Sequence, residues 1–168
     1  MEGNSMGSRI KIYVPSPLGF SEIGRVFYYQ ELIPRIEQVG YQVIDPWTLT
    51  TIEKKQRIEW MTDLSKKRHS WKKLNVEIGG NNKEGIDDSD GLVAVLDGTD
   101  VDSGTAAEIG YAFAKGKPIL GYRGEFRLRA DNEGAIVNLQ VEYFIQTSGG
   151  AIITEIDKLQ EELKRIFG

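Results

Sequence analysis

The sequence predicts an α/β fold, a mostly parallel sheet with helices on both faces, and three observations carry that expectation. Short apolar runs that read as buried strands recur at "RIKIYVPS", "YQVIDPW", "DGLVAVLD" and "KPILGYR". Segments whose apolar residues share one helical face lie between and after them, most clearly before Val39 and in the last seventeen or so residues. The first three strand-like runs stop at Pro15, Pro46 and Asp97, so each opens into a loop at its carboxyl end. Parallel neighbours need a crossover between them, usually a helix, and an alternating order of elements is its signature in sequence.

Taken in order, the start "MEGNSMGSR" lacks the apolar core of a signal peptide, and residues 1–8 read as a disordered leader to a single domain over 9–168. "RIKIYVPS" alternates, then runs apolar, as a first buried strand does. From Ser21 or Glu22 to about Val39, the residues Ile23, Val26, Phe27, Leu32, Ile33, Ile36 and Val39 suit one helical face, with Pro34 as a kink or division and Gly40 as a stop. "YQVIDPW" is a short second strand. Residues 48–89 are polar and Lys-rich and read as one or two helices separated near "IGGNN". "DGLVAVLD" is a buried strand, "SGTAAEIGYAFAKG" a helix capped by Asp102 or Ser103 and ended by Gly116, and "KPILGYR" the next strand. Beyond a charged, Gly-containing loop, "IVNLQVEYFI" is either a short helix or a strand. "AIITEIDKLQEELKRIF" reads as a closing amphipathic helix with Ile152, Ile156, Leu159, Leu163 and Ile166 on one side.

Composition excludes several classes of function. With 168 residues, 40% of them hydrophobic, the chain can bury a core without covalent staples. The absence of cysteine removes disulfides, thiol nucleophiles and thiolate metal sites, and the cytoplasm is the simplest location. A net charge of -4 offers no basic field to a nucleic-acid polymer, although "KKRHSWKK" is locally positive. His69, the only histidine, sits in that run and reads as a helix-surface residue. No apolar run suggests a membrane span.

The chemistry concentrates in "DGLVAVLDGTDVDSGTAAEIGYAFAKGKPIL". In open parallel sheets ligands bind beyond the carboxyl ends of strands, which is where Asp97, Asp100, Asp102 and Glu108 fall. The positive end of the helix favours an ionised Glu108, a candidate nucleophile. The same acids also suit ordinary loop and cap duties. The spacing lacks an EF-hand pattern, so no metal is expected, and neither phosphate-loop motif occurs in this turn.

Three stretches together resemble the nucleoside 2-deoxyribosyltransferase family: "DSGTAAEIGYA", with Asp102 and Glu108 six apart; "IYVPSPLGFSE" at the first strand; and "YRGEFR", "DNEG" and "VNLQ" after the fourth. The resemblance covers most of the chain and implies a flavodoxin-like, doubly wound fold. It implies that Glu108 attacks the anomeric carbon of a 2'-deoxyribonucleoside and that a second base then takes the sugar, with no cofactor. It further implies that Asp102 accepts from the sugar 5'-hydroxyl, with Gly104 and Asp97 beside it in the substrate site, and that Tyr13 orients nucleophile and sugar. Gly19 and Phe20 would line the base pocket. Asn138, with Gln140 near the base, would come from a neighbouring subunit of a homo-oligomer. The partners expected are thus a nucleoside and a free nucleobase.

One position departs from the family pattern. Many members carry an aspartate eight residues before the acid that opens the third strand, and that position here is Asn82. An amide pairs with a base edge but cannot act as a general acid. Either Glu84, Asp87 or Asp88 takes over, or the chemistry shifts toward hydrolysis. Three readings stay open at this level: deoxyribosyl transfer, an N-glycosidase using the same glutamate, and a nonenzymatic nucleoside-sensing domain.

Overall fold

The computed structural model describes residues 9–127 and 130–168, so the expected leader at 1–8 lies outside the described residues. The strands are β1 (Lys11–Tyr13), β2 (Gln42–Ile44), β3 (Gly91–Val95), β4 (Ile119–Tyr122) and β5 (Ala151–Ile153). The helices are α1 (Glu22–Phe27), α2 (Ile33–Gln38), α3 (Ile52–Glu59), α4 (Leu64–Asp88), α5 (Ser103–Ala114), α6 (Leu139–Thr147) and α7 (Leu159–Phe167). All strand pairs are parallel, in the order β2-β1-β3-β4-β5, which is the flavodoxin-like doubly wound arrangement. After β2 the chain crosses to the other side of β1, and the order reverses there. That reversal opens a crevice at the carboxyl ends of β1 and β3.

Period-two alternation sorts the strand residues between two cores. Ile12, Val14, Val93, Val95 and Leu120 pack with Leu32 and Ile36 of the first helical layer and with Leu159 and Leu163 of α7. Tyr13, Leu92, Ala94 and Ile119 face the other way, toward Ile86 of α4, Ile109 and Ala112 of α5, and Val141 and Ile145 of α6. The sheet is therefore covered on both faces, and β3 and β4 at its centre are wholly buried and apolar because neither of their faces meets water.

Three local expectations need correction. Pro34 does not divide its helix. A π-helical turn over Tyr28–Leu32 joins α1 to α2, and the Ile33 N–H donates to the Tyr28 carbonyl five residues back. The wider turn accommodates a residue that has no N–H for the Gln30 carbonyl.

"IGGNN" is not a break either. α4 runs through it, and the chain turns instead at 60–63, where Asp63 caps α4 by accepting from the N–H groups of Ser65 and Lys66. Gly79 and Gly80 face open space, so each costs only the helix propensity of glycine, about 1 kcal/mol. The cap and the packing of Leu74, Gly85 and Ile86 outweigh that cost.

The closing helix begins only at Leu159. Ile152 and Ile153 belong to β5, which pairs with β4 through Leu120↔Ala151 and Tyr122↔Ile153. The turn at Gly149, with φ of 85°, and β-branched residues on an open sheet edge favour a strand over the helical period that Ile152 and Ile156 mimic. "IVNLQVEYFI" resolves as α6, capped by Asn138. Among the described residues no helix is long and apolar enough to cross a membrane.

Candidate active site

The side-chain direction of β1 builds the centre of the site. Tyr13 is wholly buried on the α4/α5 face, and its hydroxyl donates to Glu108 Oε1 at 2.7 Å. α4 can approach this ring because residue 85 is glycine: a Cβ there would stand 3.0 Å from the Tyr13 ring. The helix one turn earlier then brings Asn82 within reach, and its Nδ2 donates to the same Glu108 oxygen at 3.2 Å. Oε1 thus accepts two bonds, while Oε2 accepts none from the described residues. Asn82 Oδ1 is buried without a partner.

α5 positions the acids. Asp102 caps it through the Thr105 N–H at 3.0 Å, which holds the Asp102 carboxylate at the helix mouth beside Gly104. Glu108 follows on the second turn and is partly buried. Burial pushes its carboxyl above the ordinary glutamate value and the Asp102 charge adds to this, while the bonds from Tyr13 and Asn82 pull the other way. Burial, then the adjacent Glu108 carboxylate, drives the Tyr13 phenol well above its usual range, so Tyr13 stays a donor.

These groups open into a cleft of about 400 Å³, a volume suited to a small ligand. One wall is aromatic. Phe20 and Trp47 meet edge to face with ring centroids 4.8 Å apart, and Trp47 lies so close to Gly19 that a Cβ there would fall 2.1 Å from the indole. The lining also includes the α4 face carrying Asn75, Ile78 and Asn82, and Lys55 of α3. Asp102, Gly104 and Thr105 close the end near Glu108.

Tyr13, Phe20, Asn82, Asp102, Gly104 and Glu108 are therefore gathered in or behind one cleft, with Gly19 supporting its wall. The other residues singled out from sequence stand apart. Asp97 turns to the loop after β4, where Oδ1 accepts from the Glu125 N–H at 2.8 Å, and burial raises its carboxyl above the usual range. Asn138 caps α6 through the Gln140 and Val141 N–H groups and borders a separate depression with Thr99, Asp100 and Asp131, while Gln140 is exposed next to it. Glu84, Asp87 and Asp88 line another surface depression away from the cleft. There Asp87 pairs with Lys83 and Lys115, and Asp88 with Lys11. His69 is exposed near the start of α4.

Sequence reasoning missed Trp47, Lys55, Asn75 and Ile78. An uninterrupted reading of 64–88 would have aligned Asn75, Ile78 and Asn82 at i, i+3 and i+7 on one helical face.

A family model described as nucleoside 2-deoxyribosyltransferase matches residues 12–140. Among solved structures, a conserved protein from Enterococcus faecalis V583 is 28% identical with a TM-score of 0.69, over 94% of this chain and 99% of that one. A 2-deoxyribosyltransferase from Leishmania mexicana is 20% identical with a TM-score of 0.66, over 95% and 100% of the two chains. A CMP N-glycosidase from Clostridium botulinum is 18% identical with a TM-score of 0.52, over 92% and 98%. At their level of identity the last two share the fold. No curated protein matches the chain in sequence.

Proposed function

The chain belongs to the nucleoside 2-deoxyribosyltransferase family, and from that premise we propose that it transfers the 2-deoxyribosyl group between nucleobases through an ester on Glu108. The observation that carries the reading is the unequal use of the Glu108 carboxylate. Oε1 is held by Tyr13 and Asn82, and Oε2 is left without a donor among the described residues, beside the cleft. A nucleophile must be fixed in place yet keep one oxygen free to form a bond.

In the first half-reaction Oε2 bonds to the anomeric carbon as the bond to the base nitrogen breaks, and that electron pair leaves with the base. In the second, the nitrogen of an incoming base attacks the same carbon from the opposite side, Glu108 departs as a carboxylate, and the N–H proton shed by the incoming base balances the one that the departed base takes up from solvent. Two inversions return the original anomeric configuration. Tyr13 holds Oε1 throughout. Asp102 accepts from the sugar 5'-hydroxyl, and Gly104 leaves room for the sugar beside it. Phe20, backed by Trp47 on Gly19, stacks on the base. Asn82 offers its unpartnered Oδ1 to a base N–H. Asp97 acts at one remove by tying down the loop at Glu125. Asn138 and Gln140 serve the cleft of a neighbouring subunit in a homo-oligomer, an assignment supported by their standing outside the lining of their own chain's cleft.

Hydrolysis through the same ester is the second reading. Asn82 keeps it open, because an amide cannot take the proton from an incoming base and so gives the base no help against water in the second half-reaction. A 5'-phosphate does not suit this cleft, since the Asp102 carboxylate would oppose it. The deciding experiment supplies purified protein with 2'-deoxyinosine and excess adenine and follows both nucleosides, both bases and free deoxyribose by chromatography. Formation of 2'-deoxyadenosine is the expected result. Free deoxyribose without exchange would establish hydrolysis, and binding without turnover across a panel of nucleosides would overturn both.

A further inference from the structure

The cleft is lined by one lysine, Lys55, and the chemistry above gives it no task. Lys54 and Lys55 are adjacent on α3. Lys54 pairs with Glu77 on α4, whereas Lys55 turns into the cleft and forms no ion pair with the described residues. On α4, Asn82 bonds Glu108, and Asn75 lies two turns earlier, about 10 Å along the helix axis. The Lys54–Glu77 pair sets this part of α3 against α4 nearer Asn75 than Asn82, so Lys55 and Asn75 line the part of the cleft away from the Asn82–Glu108 bond, together with Trp47 and Ile78.

We infer that Lys55, with Asn75, reads the far edge of the nucleobase and selects bases that present a carbonyl oxygen there, the 6-oxopurines and 4-oxopyrimidines, over their amino counterparts. This rests on the glycosyl-enzyme reading, which places the anomeric carbon at Glu108 and the 5'-hydroxyl at Asp102 and so lays the base between the walls with its far edge toward Lys55. A lysine ammonium has three N–H donors and no acceptor. Against a carbonyl oxygen it makes a charge-assisted hydrogen bond, and against an exocyclic amino group it sets donors against donors. Asn75 can turn its amide to either edge, so the discrimination belongs to Lys55. As the glycosidic bond breaks, the electron pair passes into the base, and in an oxo base part of that charge reaches the carbonyl oxygen. The contact with Lys55 strengthens in the transition state, and the preference therefore acts on kcat as well as KM.

2'-Deoxyinosine and 2'-deoxyadenosine differ at this edge, one carrying an oxo and the other an amino group, and make the test. Glycosidic cleavage of each is measured for the wild-type protein and for Lys55→Met, Lys55→Glu and Lys55→Arg, with circular dichroism to verify folding. The wild type should favour deoxyinosine by about tenfold or more in kcat/KM, the scale on which an unpaired polar contact discriminates. Lys55→Met should bring the ratio to within about twofold, chiefly through a lower kcat on deoxyinosine, Lys55→Glu should reverse it, and Lys55→Arg should keep its direction. Titration of hypoxanthine and adenine into the Glu108→Ala protein reads the same preference without turnover. A wild-type ratio near one, or a ratio that survives Lys55→Met, overturns the assignment of Lys55 while leaving the glycosyl-enzyme reading in place. Failure of the wild type to cleave any nucleoside overturns that reading and this inference together.

Discussion

Tyr13 and Tyr28 are both fully buried beside a carboxylate near the end of β1, on opposite faces of the sheet, yet their partners are satisfied differently. The Tyr28 hydroxyl lies 3.0 Å from Asp45 Oδ1 and 3.1 Å from the Val14 carbonyl, with one proton for the two acceptors. Asp45 Oδ1 also accepts from the Trp47 N–H, and Oδ2 from the Tyr29 hydroxyl. Both oxygens of Asp45 are occupied, and its work is to hold the loop carrying Trp47. Glu108 uses one oxygen and keeps the other free. Burial followed by the neighbouring carboxylate raises both phenols far above their usual range, and pushes that of Tyr29 up to about 12, so the shift in acidity does not tell a reactive pair from a structural one. The count of occupied oxygens does.

The strongest way to break this contrast is to remove each carboxylate in turn. Glu108→Ala should lower turnover by roughly 10⁴-fold or more, the order lost with a covalent nucleophile, at little cost in melting temperature. Asp45→Ala should do the reverse, costing about 1–3 kcal/mol of stability in urea titration because buried donors lose their acceptor. A folded Glu108→Ala protein with near-normal turnover would sink the mechanism.

Removing each hydroxyl sharpens the contrast. Tyr13→Phe should lower kcat/KM by about ten- to hundredfold, the worth of one hydrogen bond to a charged group. Tyr28→Phe should cost about 1 kcal/mol of stability and leave the pH profile unchanged.

Acidity gives a smaller effect with a definite sign. Glu108 must be ionised to attack, so kcat/KM should fall as pH drops through its raised value, above the ordinary glutamate range. Tyr13→Phe should move that limb to higher pH by removing a bond that favours the charged form. Asn82→Asp should do the same by setting a second carboxylate beside the first, and a limb that stayed put would show that Asn82 does not hold Glu108.

The smallest effect is on stability and runs the other way. A group with a raised folded-state value contributes stability that is fully present below its unfolded value and lost as pH rises through the folded one. Glu108→Gln should therefore melt higher than the wild type near pH 7, with a difference that shrinks toward pH 4. Differential scanning calorimetry at the two pH values checks it.

Much of this was legible in the sequence, because the relevant signals are local. Four of the five strands, the helix after β3 and its aspartate cap follow from apolar runs, Gly and Pro punctuation, and N-cap chemistry that act within a few residues. β5 escaped because three residues are too few to show a period, and Ile152 happened to sit in step with the helix that follows. Glu108 and Asp102 stand out from their place beyond a strand's carboxyl end, while Tyr13 and the roles of all three come from resemblance to a family, without any account of how they meet.

What the sequence by itself determined is the type and order of most of the elements, and with them a parallel sheet whose carboxyl edge carries the acids. What only the tertiary structure decided is which oxygen of Glu108 is free, which face of α4 lines the cleft, and that Trp47 and Lys55 line it too. Helices and turns are selected by interactions over a few residues. A hydrogen bond between Tyr13 and Glu108, 95 residues apart, exists only once packing has brought two crossovers together.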